Sequence, residues 1–102
     1  MRQVILDGRN GLCADERLRD KLAGHLNARL AEYEEDGIRP ERKGPGEVLA
    51  RFDGTPGEQA VRRLAASGVI ALAEGDAVRF LIGPDVSFED LDHVQAAAAE
   101  LL

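Results

Sequence analysis

Val69-Ile70-Ala71-Leu72-Ala73-Glu74-Gly75-Asp76-Ala77-Val78-Arg79-Phe80-Leu81-Ile82 is the stretch on which the architecture turns. Two β-rich runs, residues 69–73 and 77–82, are joined through Glu74-Gly75-Asp76, a hairpin signature. Gly83-Pro84 ends the second run. On the upstream side, Thr55 offers a helix cap and Pro56 suits a first helical position. Glu58, three residues after Thr55, completes a capping-box pattern. Ala60, Val61, Leu64 and Ala65 supply that helix's apolar face, and Gly68 closes it. On the downstream side, Ser87 and Asp90 form an acidic capping box. Val86 and Leu91 can flank it as a hydrophobic staple, and Leu91, Val94, Ala98 and Leu101 make one stripe.

Further out, residues 47–53 read as a strand with Val48, Leu49, Ala50 and Phe52 as its apolar members. Before it, Arg39-Pro40-Glu41-Arg42-Lys43-Gly44-Pro45-Gly46 holds two prolines and two glycines and reads as a connector, the natural seam of the chain. A long amphipathic helix is expected over residues 15–36, with Leu18, Leu22, Leu26, Leu30 and Tyr33 on one stripe and Gly37 at its end. Residues 3–6 form a short strand ended by Asp7-Gly8. The expected order is β-α-β-α-β-β-α. It predicts an α+β two-layer sandwich in which helices pack on a small mixed sheet. One domain should span residues 1–102: a strand and helix (1–38), the connector (39–46), and a β-α-β-β-α unit (47–102).

A chain of 102 residues is about the size of one domain. Its hydrophobic share of 44% and charged share of 31% are those of a globular protein and exclude the disordered class. With 4% aromatic residues and no Trp, the core must be largely aliphatic. The net charge of −6 disfavours nonspecific contact with nucleic acid or anionic membrane. One cysteine, Cys13, rules out an internal disulfide and fits a reducing compartment. No run has the pattern of a secretory leader or the length to span a membrane, so a cytoplasmic protein is expected.

The residues able to carry chemistry are few. His25 and His93 stand alone, with no second ligand at metal-binding spacing, so no metal site is expected. Cys13 precedes a helix, which suits either an activated thiol or a small buried hydrophobe. The loop Gly8-Arg9-Asn10-Gly11 lies between a strand and a helix, where anion-cradling loops sit, yet it matches neither nucleotide-binding glycine pattern. A small domain that binds a ligand or phosphate there is one reading of function. Another is a winged-helix regulator of DNA or protein, with Arg51, Arg62 and Arg63 as a basic patch. Its wing tip, Glu74-Gly75-Asp76, would bring negative charge to the phosphates.

A third reading rests on order and local chemistry from Glu47 onward. The strand ending at Asp53, the capped helix and the phrase Ala65-Ala66-Ser67-Gly68-Val69-Ile70 lead into a hairpin carrying Ala77-Val78-Arg79-Phe80. Ser87-Phe88-Glu89-Asp90-Leu91-Asp92 then opens a terminal helix. This half of the chain resembles the carboxy-terminal small domain of fold-type I pyridoxal-phosphate (PLP) enzymes, the class V aminotransferase and cysteine desulfurase group especially. The resemblance implies that Arg79 binds a substrate carboxylate, a task suited to the guanidinium fork. It also implies that the Schiff-base lysine and phosphate loop belong to a large domain outside these residues. Lys21, in an amphipathic helix, and Lys43, in a polar segment, are the only lysines. No complete active site is expected, and PLP only where a partner supplies the catalytic domain. The expectation is a non-catalytic accessory module that acts with a partner chain or as a homodimer, docking through the long helix and an uncovered sheet face.

Overall fold

The computed structural model describes residues 3–102. At its centre, strands β5 (Leu72–Glu74) and β6 (Ala77–Leu81) form the expected hairpin, with Glu74 and Ala77 paired across the turn. Gly75 takes φ +60 as the first residue of a two-residue turn, a backbone state open to glycine and matched to the twist of paired strands. Strand β3 (Glu47–Phe52) lies antiparallel on the other side of β6, and β2 (Ile38–Gly44) pairs outside β3. The sheet order is β2-β3-β6-β5.

Strand β2 corrects the connector expected at residues 39–46. Its composition belongs to an exposed sheet edge. Pro40, the charged run Arg39, Glu41, Arg42 and Lys43, and a bulge between Arg42 and Gly44 all discourage pairing with another chain. The devices that protect an edge are the ones that make it read as a loop.

Strand alternation sends Val48, Ala50 and Phe52 of β3 and Val78 and Phe80 of β6 to one face, all buried. The helices cover that face. Helix α1 (Glu16–Ala31) starts at Asp15, whose carboxylate accepts from the amides of Arg17 and Leu18. It buries Leu22, Ala23, Leu26 and Leu30 but leaves Leu18 exposed, and it is shorter than the expected 15–36. A single 3-10 turn, Glu34–Asp36, follows it, and Gly37 at φ +113 redirects the chain into β2. Helix α2 (Gly57–Ala66) buries Gly57, Ala60 and Leu64. The expected capping box at Thr55 does not form. The Thr55 amide donates to Phe52 O in a tight turn, and Pro56 takes the cap position with no side-chain bond. Helix α3 (Phe88–Ala99) carries the expected box, with Ser87 Oγ accepting from the Asp90 amide and Asp90 accepting from the Ser87 amide. Leu91, Val94, Ala98 and Leu101 join the same core as Leu26, Leu64 and Phe80.

In place of one mixed sheet, the remaining strands form a separate two-stranded parallel sheet beside the four-stranded antiparallel one. The run expected as one strand over residues 69–73 divides at Ala71. Its first half, β4 (Val69–Ile70), pairs parallel with β1 (Val4–Ile5), while its second half is β5. Strand β1 sits between β4 and the end of β6. Val4 and Leu6 donate to Gly68 O and Ile70 O at 2.7 Å, and Leu6 O accepts from the Leu81 amide at 2.9 Å. The first strand is thus held by backbone bonds on both sides. The α+β class and the expected order of elements hold, with β2 as the strand added.

Candidate functional site: the open face of the four-stranded sheet

Leu49 and Ala77, on the opposite face of the sheet with Arg79, stand outside the core cluster that the described helices join. Register lines up Glu41, Leu49, Arg79 and Leu72 across four strands, and beside them Arg39, Arg51, Ala77 and Glu74. Leu49 is nevertheless only 3% exposed and Ala77 1%. On a face without helix cover, the stems of long charged neighbours account for that burial.

Arg79 lies at the middle of this face. Its Nη2 donates to Glu74 Oε1 on β5, and its Nε lies 3.7 Å from Glu47 Oε2 on β3. That Nε is buried and donates no hydrogen bond among the described residues. Arg39 and Arg51 face each other across β2 and β3, a repulsive pair, and each draws on acids. Arg39 reaches Asp53 at 3.3 Å, while Arg51 lies 3.9 Å from Glu41 and 3.6 Å from Asp76. The face is a lattice of half-exposed opposite charges over a small apolar floor. Its guanidinium at Arg79 is oriented by two carboxylates, so an incoming carboxylate must compete with Glu74 for the same fork.

The Gly8-Arg9-Asn10-Gly11 loop is closed on itself. Arg9 donates through its amide and Nε to Asp7, and Nη2 lies 2.8 Å from Asp7 Oδ2. This side-chain hydrogen bond holds the Asp7 carboxyl below the usual range. The Gly11 amide donates to Gly8 O, and the Cys13 amide to Ile82 O. Two of the loop's backbone donors, the amides of Arg9 and Gly11, are therefore engaged within the chain. Asn10 lines a cavity of about 190 Å³ with β1 and residues 83–86. The loop and Arg79 share a neighbour: Leu81, two residues beyond Arg79, packs where a Cβ on Gly8 would fall, 2.9 Å from its Cδ1.

The other residues singled out lie elsewhere. His25 Nε2 is 2.9 Å from Asp92 Oδ1 and its ring meets Phe88 edge-on at 5.1 Å, which ties α1 to α3. That hydrogen bond, with help from Arg29, lowers the Asp92 pKa. His93 Nε2 is 2.7 Å from Ser67 O. Cys13 is buried at 4% exposure, which suits the small-hydrophobe reading. The expected basic patch is divided between two elements: Arg51 lies on β3 and pairs toward Asp76, whereas Arg62 and Arg63 lie on α2, where Arg63 donates to Glu100 O. The hairpin is half of a four-stranded sheet and no free wing, which removes the winged-helix reading. Glu47 and Glu74, the partners of Arg79, were not among the expected site residues. Only strand register places them, and one strand's composition does not contain it.

Among the described residues, no group of three or more His, Cys, Asp or Glu side chains is placed to hold a metal. No helix among the described residues is long and apolar enough to cross a membrane. Lys21 and Lys43 are both exposed, and Lys43 Nζ lies 3.3 Å from Glu41. Neither is desolvated as a Schiff-base amine requires, so the residues present do not fit covalently held PLP.

No family model matches the chain, and neither does any curated protein. Solved structures do. A thermostable omega transaminase from Pseudomonas jessenii aligns with a TM-score of 0.68 and 18% identity over 79% of this chain and 21% of its own. The omega transaminase from the same organism in complex with PMP gives the same figures. A point mutant of Rv3290c from M. tuberculosis aligns at 0.68 and 28% identity over 82% of this chain and 20% of its own. The Pseudomonas jessenii matches are named as omega transaminases, so they lend nothing to the narrower class V assignment. The chain spans about a fifth of the length of the structures it matches, and over that span its fold is aminotransferase-like.

Proposed function

We propose that this chain is a small-domain module of the aminotransferase type, an accessory part that acts with a partner chain carrying PLP and does no catalysis alone. The observation that carries the reading is the proportion of the match, about four fifths of this chain against one fifth of each structure matched. The exposure of both lysines supports it. In this reading the open sheet face turns toward the partner's active site, and Arg79 presents its fork to a substrate carboxylate once Glu74 gives way.

Affinity purification of the tagged chain from its native cells tests the proposal. The expected result is stoichiometric recovery of a chain that holds PLP through a borohydride-reducible lysine linkage. Arg79→Ala should then raise the complex's KM for a carboxylate substrate while the two chains still co-purify. Recovery of the module alone under gentle crosslinking, or of a partner without PLP, would overturn it.

A further inference from the structure

Strand β1 occupies a slot whose two walls hold it through backbone groups. Gly68 O and Ile70 O take the amides of Val4 and Leu6 on the β4 side, and the Leu81 amide bonds Leu6 O on the β6 side. Val4 and Leu6 are 3% and 0% exposed. Gly83 lets the strand pass, since a Cβ there would stand 3.2 Å from Ile5 O. Recognition through main-chain bonds and two apolar anchors is how sheets take up an added strand. Nothing in it requires the strand to come from the same molecule.

The hinge that returns the chain from β1 is residues 7–12. Beyond it, Cys13 is anchored by its amide to Ile82 O and by Arg19 Nη1 on its own carbonyl. The hinge turns back because Gly8 and Gly11 adopt φ +80 and +79, closed by the Gly11 amide on Gly8 O. Six residues reach about 20 Å when extended, comparable with the 24 and 25 Å short dimensions of the molecule. We propose that the slot between β4 and the end of β6 is a strand-binding site that accepts β1 of a second copy, giving a strand-exchanged dimer. Every contact of β1 is remade in the partner's slot, so the balance rests on the hinge and on concentration.

Gly11 gives control of that balance. A Cβ there would meet nothing within 4 Å, so substitution acts through backbone conformation alone. Gly11→Val disfavours the positive-φ turn of the closed monomer and leaves an extended hinge unstrained, which should raise the dimerisation constant about tenfold per hinge.

The test uses full-length chains in a Cys13→Ala background. Val4→Cys and Val69→Cys, an in-register pair in β1 and β4, are placed on separate chains, concentrated together and mildly oxidised. The expected product is a disulfide-linked heterodimer well above that from Val69→Cys mixed with Leu102→Cys, whose exposed site reports random collision. Light scattering should find Gly11→Val shifted toward dimer. A Val4–Val69 yield no greater than the collision control would overturn the proposal. So would a Gly11→Val chain that stays monomeric at high concentration and merely melts lower.

Discussion

Gly57, the first residue of α2, rests on Ala77 of the hairpin so closely that a Cβ on it would stand 2.5 Å from Ala77 O. The Gly75 carbonyl lies 2.7 Å from the same point. Backbone on both sides leaves no flexible side chain to yield. Gly57→Ala should therefore destabilise the fold by about 1–3 kcal/mol, read as a melting temperature roughly 4–8 °C lower per kcal/mol. An unchanged melting curve would mean that α2 does not seat on the hairpin this way.

Gly24 is the opposite case. It lies inside α1, and its added Cβ would meet only Arg42 Nη1, at 3.5 Å, an ordinary contact. Gly24→Ala should stabilise the protein by about 0.5–1 kcal/mol, because alanine has less backbone freedom to lose. Urea unfolding midpoints compared at constant slope check this.

Acid should weaken two specific ties. The carboxyls of Asp92 and Asp7 are held below their usual 3.8 by hydrogen bonds from His25 and Arg9 respectively. A group depressed in the folded state contributes stability above its unfolded pKa and loses it as pH falls through the folded one. Stability should thus fall below about pH 4, and Asp92→Asn should flatten that part of the profile. Thermal melts from pH 6 to pH 2 would measure it, and an Asp92→Asn profile parallel to the parent's would contradict the assignment.

Glu74 should act as a brake on anion binding at Arg79. Glu74→Gln removes one of two carboxylates competing for the guanidinium, which should tighten binding of a small carboxylate such as acetate. The gain should be about two- to fivefold, the size expected of a half-exposed ion pair. Arg79→Ala should abolish the gain. An NMR titration of the amides of residues 77–81 would follow both. Equal affinities in parent and Glu74→Gln would show that the fork is not reached from the open face.

Much of the fold is legible in the order of residues alone. Signals carried by neighbouring residues held: the Glu74-Gly75-Asp76 hairpin, the Ser87–Asp90 box, and the Leu22, Leu26 and Leu30 stripe. What failed depended on distant parts of the chain. Strand β2 was hidden because an edge strand is written in loop residues. Thr55 met every local requirement of a cap, yet a turn from Phe52 claimed its amide. At the candidate site, Arg79 could be named from its strand and the resemblance around it. Its dependence on Glu47 and Glu74 needed the pairing of β3, β6 and β5, which no spacing within one segment encodes.

The division at Ala71 reaches beyond topology. Residues 69–74 hold β1 with one half and β6 with the other, so neither sheet ends where the other begins. A rupture on either side passes through a single stretch of backbone. The protein should lose its structure in one step, with the amides of Ile70 and Leu72 exchanging with solvent at the same global rate.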